Sequence, residues 1–214
     1  MKKVKLGVIG LGMMGKVHAE FLSRAEECDL VAICDVEERH KRIAETLGTK
    51  FYPHYQEMIE RERLDGVVIA LPNDLHAPVG VECAKKGLHL FVEKPITKSL
   101  SEADRLIEAA RKSGVRILVG HHRRFSPLVE KTRDLVRGGE IGELVGVTML
   151  WTLLKPFDYF QGPFSWRREK GGGPILINLI HEIDNLRYIC GEVTRVYAEV
   201  SHKVRRFPVE DTVS

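Results

Sequence analysis

Over the first 120 residues, short apolar runs alternate with longer stretches of mixed polarity. Residues 4–9 are nearly all apolar and end in glycines, the pattern of a strand buried on both faces of a parallel sheet. Residues 13–25 then predict a helix with Val17, Phe21 and Leu22 on one side. A second buried strand is predicted over 30–34, ending at Asp35. A helix over 37–47 follows, with Gly48 where a C-terminal cap belongs. The alternation continues with a strand over 67–71 and a helix from Pro72-Asn73-Asp74 to just before Gly87. After these come a strand over 88–92, a helix from Ser99 or Ser101 to Lys112, and a strand over 115–119. Strands alternating with helices of this length predict a doubly wound α/β domain with a parallel sheet.

The pattern changes after Gly120, where we place a domain boundary, giving domains 1–120 and 121–214. Residues 127–137 predict a helix stopped by Gly138-Gly139, and 143–154 are rich in Val, Leu and Thr and predict a strand. A loop with Pro156, Gly162 and Pro163 follows. Gly171-Gly172-Gly173-Pro174 then opens a helix to Cys190, with Pro174 near its first turn. Residues 193–204 predict another strand, and 209–214 the beginning of one more. Two complete strands and one covering helix make a thin core, so the second domain is expected to be incomplete as given.

Chemistry enters first at Gly10-Leu11-Gly12-Met13-Met14-Gly15. The pattern G-x-G-x-x-G is weak alone. Here it follows a buried strand, opens a helix, and precedes Asp35 by about the twenty residues that a dinucleotide fingerprint requires. Gly10 allows the tight turn, Gly12 lets the backbone approach a pyrophosphate, and Gly15 lets helix and strand pack closely. The Asp35 carboxylate suits a ribose 2′-hydroxyl and repels a 2′-phosphate. Val36 stands where an arginine favours NADP, so NAD is the expected cofactor, with Arg39 and His40 keeping NADP open. Ligands of such sheets bind beyond the carboxyl ends of the strands, where Leu71-Pro72-Asn73, Glu93-Lys94-Pro95 and His121-His122 also fall. A partly desolvated lysine beside a cationic nicotinamide ring is usable for proton transfer, which marks Lys94; the alternative is a surface lysine paired with Glu93. Asn178 and His181, three apart on one helix, are expected to meet the same ligand. A histidine is the natural base for an alcohol proton near neutral pH, although a buried structural histidine fits as well.

Composition narrows the field further. A net charge of +3 argues neither for nor against nucleic acid, and no nucleic-acid partner is expected. No stretch approaches the roughly 18 apolar residues of a membrane span. Met1-Lys2-Lys3 and the apolar stretch after it resemble a leader, but Gly7, Gly10 and Gly12 break the stretch and no small-residue cleavage site follows. Cys28, Cys34, Cys83 and Cys190 form no CxxC pair and share no metal-ligand spacing with histidines, so no metal is expected. Cys34 and Cys190 read as small core residues, which fits a cytoplasmic protein.

Together the segments GVIGLGMMG, Leu71-Pro72-Asn73 with His76, Glu93-Lys94-Pro95, His122-Arg123-Arg124-Phe125 with Pro127, Trp166-Arg167 and GGGPILINLIHEID resemble the Gfo/Idh/MocA oxidoreductase family. The resemblance covers essentially the whole chain. The Glu-Lys-Pro motif followed by GGG, His and Asp in this order is its most specific part. It implies a Rossmann domain that binds a nicotinamide cofactor and an α+β domain, with an open and mostly antiparallel sheet, that binds sugars, inositols or related polyols. It implies that Lys94 hydrogen-bonds the reacting hydroxyl and the cofactor, and that His181 relays the proton. His76, His122, Trp166 and Arg167 match positions near cofactor or substrate, and the Lys94–Pro95 bond is implied to be cis. It also implies a homodimer or homotetramer in a longer chain, since an uncovered apolar sheet face needs a partner.

One departure stands out: family members carry an aspartate four residues before the histidine, where this chain has Ile177. Isoleucine cannot orient or charge-stabilise His181. The mechanism then rests on Lys94 and His181 with Asn178 as a hydrogen-bonding partner, or the substrate differs from a simple polyol, or activity is lost. Two alternatives to a simple dehydrogenase follow: an enzyme that uses NAD transiently to permit elimination or glycoside cleavage, and a non-catalytic NAD-binding protein.

Overall fold

The computed structural model describes residues 3–214; Met1 and Lys2, where the leader-like stretch begins, lie outside them. The chain divides after Gly120 into two compact units.

The first unit carries six strands: β1 (Val4–Ile9), β2 (Cys28–Cys34), β3 (Lys50–Tyr52), β4 (Gly66–Ile69), β5 (His89–Val92) and β6 (Ile117–Val119). They form one parallel sheet in the order β3-β2-β1-β4-β5-β6, the doubly wound arrangement with its switch point between β1 and β4. Side chains alternate across the sheet. Ile9, Val67, Ile69 and Val92 join one core, while Val8, Ile33 and Val68 join the other. Both faces are therefore apolar, and helices cover both. α3 (Tyr55–Arg61), α4 (His76–Lys85) and α5 (Leu100–Ser113) pack on the first core; α1 (Met13–Leu22) and α2 (Lys41–Leu47) pack on the second. The ends of α5 follow the expected chemistry. Ser99 accepts from the Glu102 amide, and Gly114 takes a left-handed conformation with φ of 67°.

Several expectations need correction. α1 ends at Leu22 rather than Ala25, with the Ser23 hydroxyl bonded back to the Glu20 carbonyl at 2.8 Å. Its inner face is Gly15 and Ala19, with Leu22 half-buried against the second core, while Val17 and Phe21 are exposed. The helix approaches the sheet through its small residues, and that closeness turns the larger ones outward. Residues 38–40 form a 3-10 turn before α2, and β3 and α3 were not anticipated.

The second unit pairs α6 (Pro127–Arg137) with α7 (Ile180–Cys190). Residues 157–160 and 162–168 are 3-10 turns. Its sheet is a two-stranded antiparallel ribbon, β7 (Val200–Ser201) with β8 (Thr212–Val213). The strand expected over 143–154 is absent, and of 193–204 only Val200–Ser201 pairs. These segments have the composition of strands, but among the described residues they find no ladder partner, and a strand without one leaves its backbone groups to water. Cys190 is half-buried rather than core, whereas Cys28, Cys34 and Cys83 are buried and all four are free thiols. Burial pushes the Cys34 and Cys83 thiols up to about 12, which makes them unreactive. Among the described residues no helix is long and apolar enough to cross a membrane.

Candidate functional site

The strand order sets the carboxyl ends of β1, β4 and β5 side by side, so three loops converge on one edge of the first unit. The glycine turn leaves β1. Gly10 has φ of 91°, and a Cβ there would stand 2.5 Å from the Ala70 carbonyl oxygen. A Cβ on Gly15 would lie 1.8 Å from the Gly10 oxygen, so only glycine lets α1 come this close to the turn. Gly12 differs. Its Cβ would meet nothing within 4 Å, and its φ of −64° suits any residue. Packing therefore gives no reason for glycine at position 12. A ligand whose phosphates approach the backbone does. Gly12 caps α1 without a side-chain bond, and the first turn holds no acidic residue, so its amides and the helix dipole remain available for an anion. Met13 is exposed and Met14 half-buried at this entrance, while Leu11 is fully buried.

Asp35 sits at the end of β2. Its Oδ2 accepts from the Leu11 amide at 2.6 Å and its Oδ1 from the Glu37 amide at 2.8 Å. These bonds fix the carboxylate beside the glycine turn, and each oxygen keeps a lone pair for a ribose hydroxyl. His40 Nδ1 lies 3.3 Å from Oδ1, Arg39 pairs with Glu37, and Val36 is 80% exposed. The turn and the fixed carboxylate fit the dinucleotide that the sequence implies.

After β4, Leu71 and Pro72 are half-buried and Asn73 is buried. His76 is fully buried, with Nδ1 2.8 Å from the Pro95 carbonyl oxygen and Nε2 2.9 Å from that of Leu71. Burial pulls its pKa down, against the pull of those two carbonyls. The ring is a strut between the loops after β4 and β5, set behind the ligand-facing edge.

After β5, the Lys94–Pro95 peptide is cis, as the resemblance implies. Glu93 is buried; its Oε1 accepts from His18 Nε2 at 2.7 Å and its Oε2 from the Lys94 amide at 3.1 Å. Burial pushes this carboxyl up, but the His18 hydrogen bond and charge outweigh it and leave its pKa below the usual value. His18 thus ties the phosphate-facing helix to the residue before Lys94. Sequence reading passed over it because nothing local marks a histidine on α1 as the partner of a glutamate 75 residues on. Lys94 itself is half-buried.

In the second unit, close approach to backbone requires glycine at position 172. A Cβ on Gly172 would lie 2.4 Å from the Trp166 carbonyl oxygen, and one on Gly173 would lie 2.2 Å from Glu210 Oε1. That glutamate accepts from the Ile175 amide at 3.0 Å, which caps the helix entry. The first turn, Ile175–Leu179, is a π-helix, and α7 continues from Ile180. The wider turn loosens the alignment of Asn178 with His181 that a regular helix gives, and such turns recur at functional sites. His181 is buried, with its ring 5.0 Å from His122 in an edge-on arrangement. Ile177 and Asn178 are half-buried.

Around them runs a set of ion pairs that sequence reading did not find. Arg124 grips buried Asp184 with two bonds, Nε to Oδ2 at 2.8 Å and Nη2 to Oδ1 at 2.5 Å, and Arg123 pairs with Glu182. His121 Nδ1 lies 3.6 Å from Asp184. Burial raises the Asp184 carboxyl, but the Arg124 hydrogen bonds and the His121 charge more than offset this and hold it below its ordinary value.

The depressed carboxyls of Glu93 and Asp184 contribute a pH dependence, beside those of Glu62 and Glu108 elsewhere. Each favours the fold above the ordinary carboxylate pKa of about 4, and that contribution is lost as pH falls through the lower folded-state value. The melting temperature is therefore expected to drop on acidification between about pH 5 and pH 2. Glu93→Gln and Asp184→Asn are each expected to be less stable than the parent at pH 7 and to show a shallower acid drop. A drop of unchanged steepness in both variants would show that other groups govern acid unfolding.

Residues 4–121 match the model of an oxidoreductase family with an NAD-binding Rossmann fold, and residues 129–214 match a GFO/IDH/MocA C-terminal domain. The chain is 36% identical over 203 residues to a myo-inositol 2-dehydrogenase of Thermotoga maritima, covering 92% of this chain and 58% of that protein. It is 30% identical over 217 residues to a 2,7-anhydro-N-acetylneuraminate hydratase of Mediterraneibacter gnavus, covering 99% of this chain and 57% of that protein. Among solved structures it is similar to the WlbA dehydrogenase from Bordetella pertussis in complex with NADH and UDP-GlcNAcA. The TM-score is 0.88 at 27% identity, covering 99% of this chain and 66% of that one. The chain thus spans less than two thirds of the curated relatives it matches.

Proposed function

This chain belongs to the Gfo/Idh/MocA family of oxidoreductases, and from that premise we propose that it moves a hydride between a nicotinamide cofactor and a hydroxyl-bearing carbon of a sugar, inositol or related polyol. The observation that carries the proposal is the shared edge of the first unit. The Gly12 turn, the Leu71–Asn73 loop and the Lys94 segment end neighbouring strands there.

NAD, when bound, supplies the hydride chemistry. The chain supplies position and proton handling. The Gly10–Gly15 turn holds the pyrophosphate on backbone amides, and Asp35 accepts from the ribose hydroxyls, which favours NAD over NADP. His76 fixes the Leu71 and Pro95 loops. Glu93, held by His18, fixes the Lys94 amide. Lys94 binds the reacting hydroxyl and holds its proton, and His181 relays that proton. With Ile177 in the aspartate position, Asn178 orients the hydroxyls.

We further propose a cytoplasmic protein, in keeping with its free cysteines, and a homodimer or homotetramer. The exposed apolar residues Val145, Leu150 and Leu154 support such assembly.

The first test is a thermal shift. At a hundredfold excess over its Kd, a ligand of the folded state adds about 2.7 kcal/mol. NAD and NADH are expected to raise the melting temperature, and NADP to raise it less at equal concentration. A screen with NAD against sugars, inositols and sugar acids then reads NADH formation. No shift with NAD at saturation would end the proposal. The similarity to a protein named as a hydratase favours a second reading, in which the cofactor returns to its starting state each cycle. Product formed without NADH accumulation is its signature.

A further inference from the structure

Glu93 sits where three elements of the first unit meet. It follows Phe91 of β5 by two positions, so both side chains face the side of the sheet that α1 covers. His18 on α1 meets both. Its ring stands edge-on to Phe91 at 5.1 Å between centres, and its Nε2 lies 2.7 Å from Glu93 Oε1. At the end of β6, Gly120 leaves room for the carboxylate: a Cβ there would stand 3.2 Å from Glu93 Cδ and Oε1. Glu93 Oε2 accepts from the Lys94 amide at 3.1 Å.

A buried carboxylate is costly, and pairing it with a cation adds little net stability. This one stands immediately before Lys94 and answers two bases. The charges of His18 and Lys94 both favour its ionised form. The attraction is mutual, so His18 and Lys94 draw on the same negative charge. In a buried setting one carboxylate cannot fully compensate two cations. His76 also feels Glu93, but it is fully buried and burial lowers its pKa. Of the two histidines, His18 has the route to water: its side chain is 21% exposed, against 7% for Glu93.

We propose that His18 gives up a proton to water as Lys94 takes one from the reacting hydroxyl, so that the charge around Glu93 stays constant through the reaction. In alcohol oxidation the O–H bond of the substrate breaks and an N–H bond forms on Lys94. The substrate carbon gives its hydride to NAD, and an N–H bond of His18 breaks, leaving its proton in water. Lys94 gains one positive charge and His18 loses one. After the carbonyl product leaves, Lys94 returns its proton to solvent and His18 takes one up, so each turnover releases one proton. Two bases that share one carboxylate titrate as a coupled set, which is what lets a proton gained by one loosen the proton of the other. His18 is thus a positioning residue that acts through Glu93. The inference rests on the proposed oxidoreductase reading and adds to it a residue that the motifs do not mark.

NMR titration of the His18 ring in the full chain, without cofactor or substrate, tests the shared charge directly. Lys94→Met removes the competing cation and is expected to raise the His18 titration midpoint by at least about 0.5 pH unit. Glu93→Gln removes the shared carboxylate and is expected to lower it by about one unit. Lys94→Met, at a half-buried position, keeps the test decisive where Glu93→Gln fails to fold. A purely structural His18 would titrate alike with and without the Lys94 charge. A midpoint in Lys94→Met within about 0.2 unit of the parent would therefore overturn the proposal. Turnover is read separately. His18→Gln, which keeps a hydrogen-bond donor but cannot release the proton, is expected to lower kcat about tenfold at an unchanged KM for NAD. Parental kcat in that variant would overturn the proposal as well. No NADH formation by the parent with any polyol would strike the oxidoreductase reading alone, since the titrations need no turnover.

Discussion

Gly12→Val is expected to leave this protein folded and to abolish NADH binding, whereas Gly15→Ala is expected to destabilise its first unit strongly. The two glycines stand three residues apart in one motif but answer to different constraints. At Gly15 the first added atom falls 1.8 Å from the Gly10 carbonyl oxygen. No rotamer moves a Cβ, and both partners are backbone, so α1 must withdraw from β1 and open the core around Ala19. Overpacking in a core costs about 1–3 kcal/mol when side chains can adjust. Here they cannot, and the loss is expected at or beyond the upper end of that range. At Gly12 an added Cβ meets nothing within 4 Å, at an ordinary φ. That space is where a pyrophosphate would lie against the uncapped helix amides, and valine holds the anion away from them. A rise in Kd of at least about a hundredfold is expected, equivalent to about 2.7 kcal/mol. Circular dichroism melting and NADH titration of both variants check the pair of outcomes. Normal NADH binding by a folded Gly12→Val protein would remove the dinucleotide from this turn.

The same contrast shows what was legible in the chain. The strands of the first sheet are legible because both of their faces are buried, so composition alone marks Val8, Ile33 and Val68. On α1 the apolar period groups Val17 and Phe21 on one side. The sheet instead selects Gly15 and Ala19 for their small size, a choice visible only from the partner surface. β3 is three residues long and α3 seven, too short for periodicity to register. The stretch over 143–154 has strand composition but no partner among the described residues, and composition cannot report whether a partner is at hand. The site divides along the same line. Gly10, Gly15, Asp35 and Glu93-Lys94-Pro95 are local motifs. The His18–Glu93 and Arg124–Asp184 pairs join residues 75 and 60 positions apart, and no local pattern foretells them.

Lys94→Ala is expected to lower kcat by about two to four orders of magnitude, the range for loss of a positioned proton donor or acceptor. The variant is informative because of what holds this residue in place. Its amide is bonded to Glu93, the Pro95 carbonyl faces His76, and Glu93 is bonded to His18. These contacts belong to the backbone or to neighbours and survive truncation at Cβ, while the attraction of the Lys94 charge for Glu93 is lost. The variant is therefore expected to fold and to retain NADH binding while turnover of the best substrate collapses. Loss of kcat without loss of cofactor binding marks an interaction made in the reaction rather than in assembly of the site. His181→Gln, which keeps a hydrogen-bonding side chain but removes the titrating ring, is expected to cut kcat by a comparable factor, because Ile177 provides no second group to take the proton. It is also expected to flatten the dependence of kcat on pH near neutrality, where an imidazole titrates. Turnover in Lys94→Ala within about tenfold of the parent would show that the proton leaves by another route. Retained activity in His181→Gln with an unchanged pH profile would place that histidine in the packing of α7 instead of the chemistry.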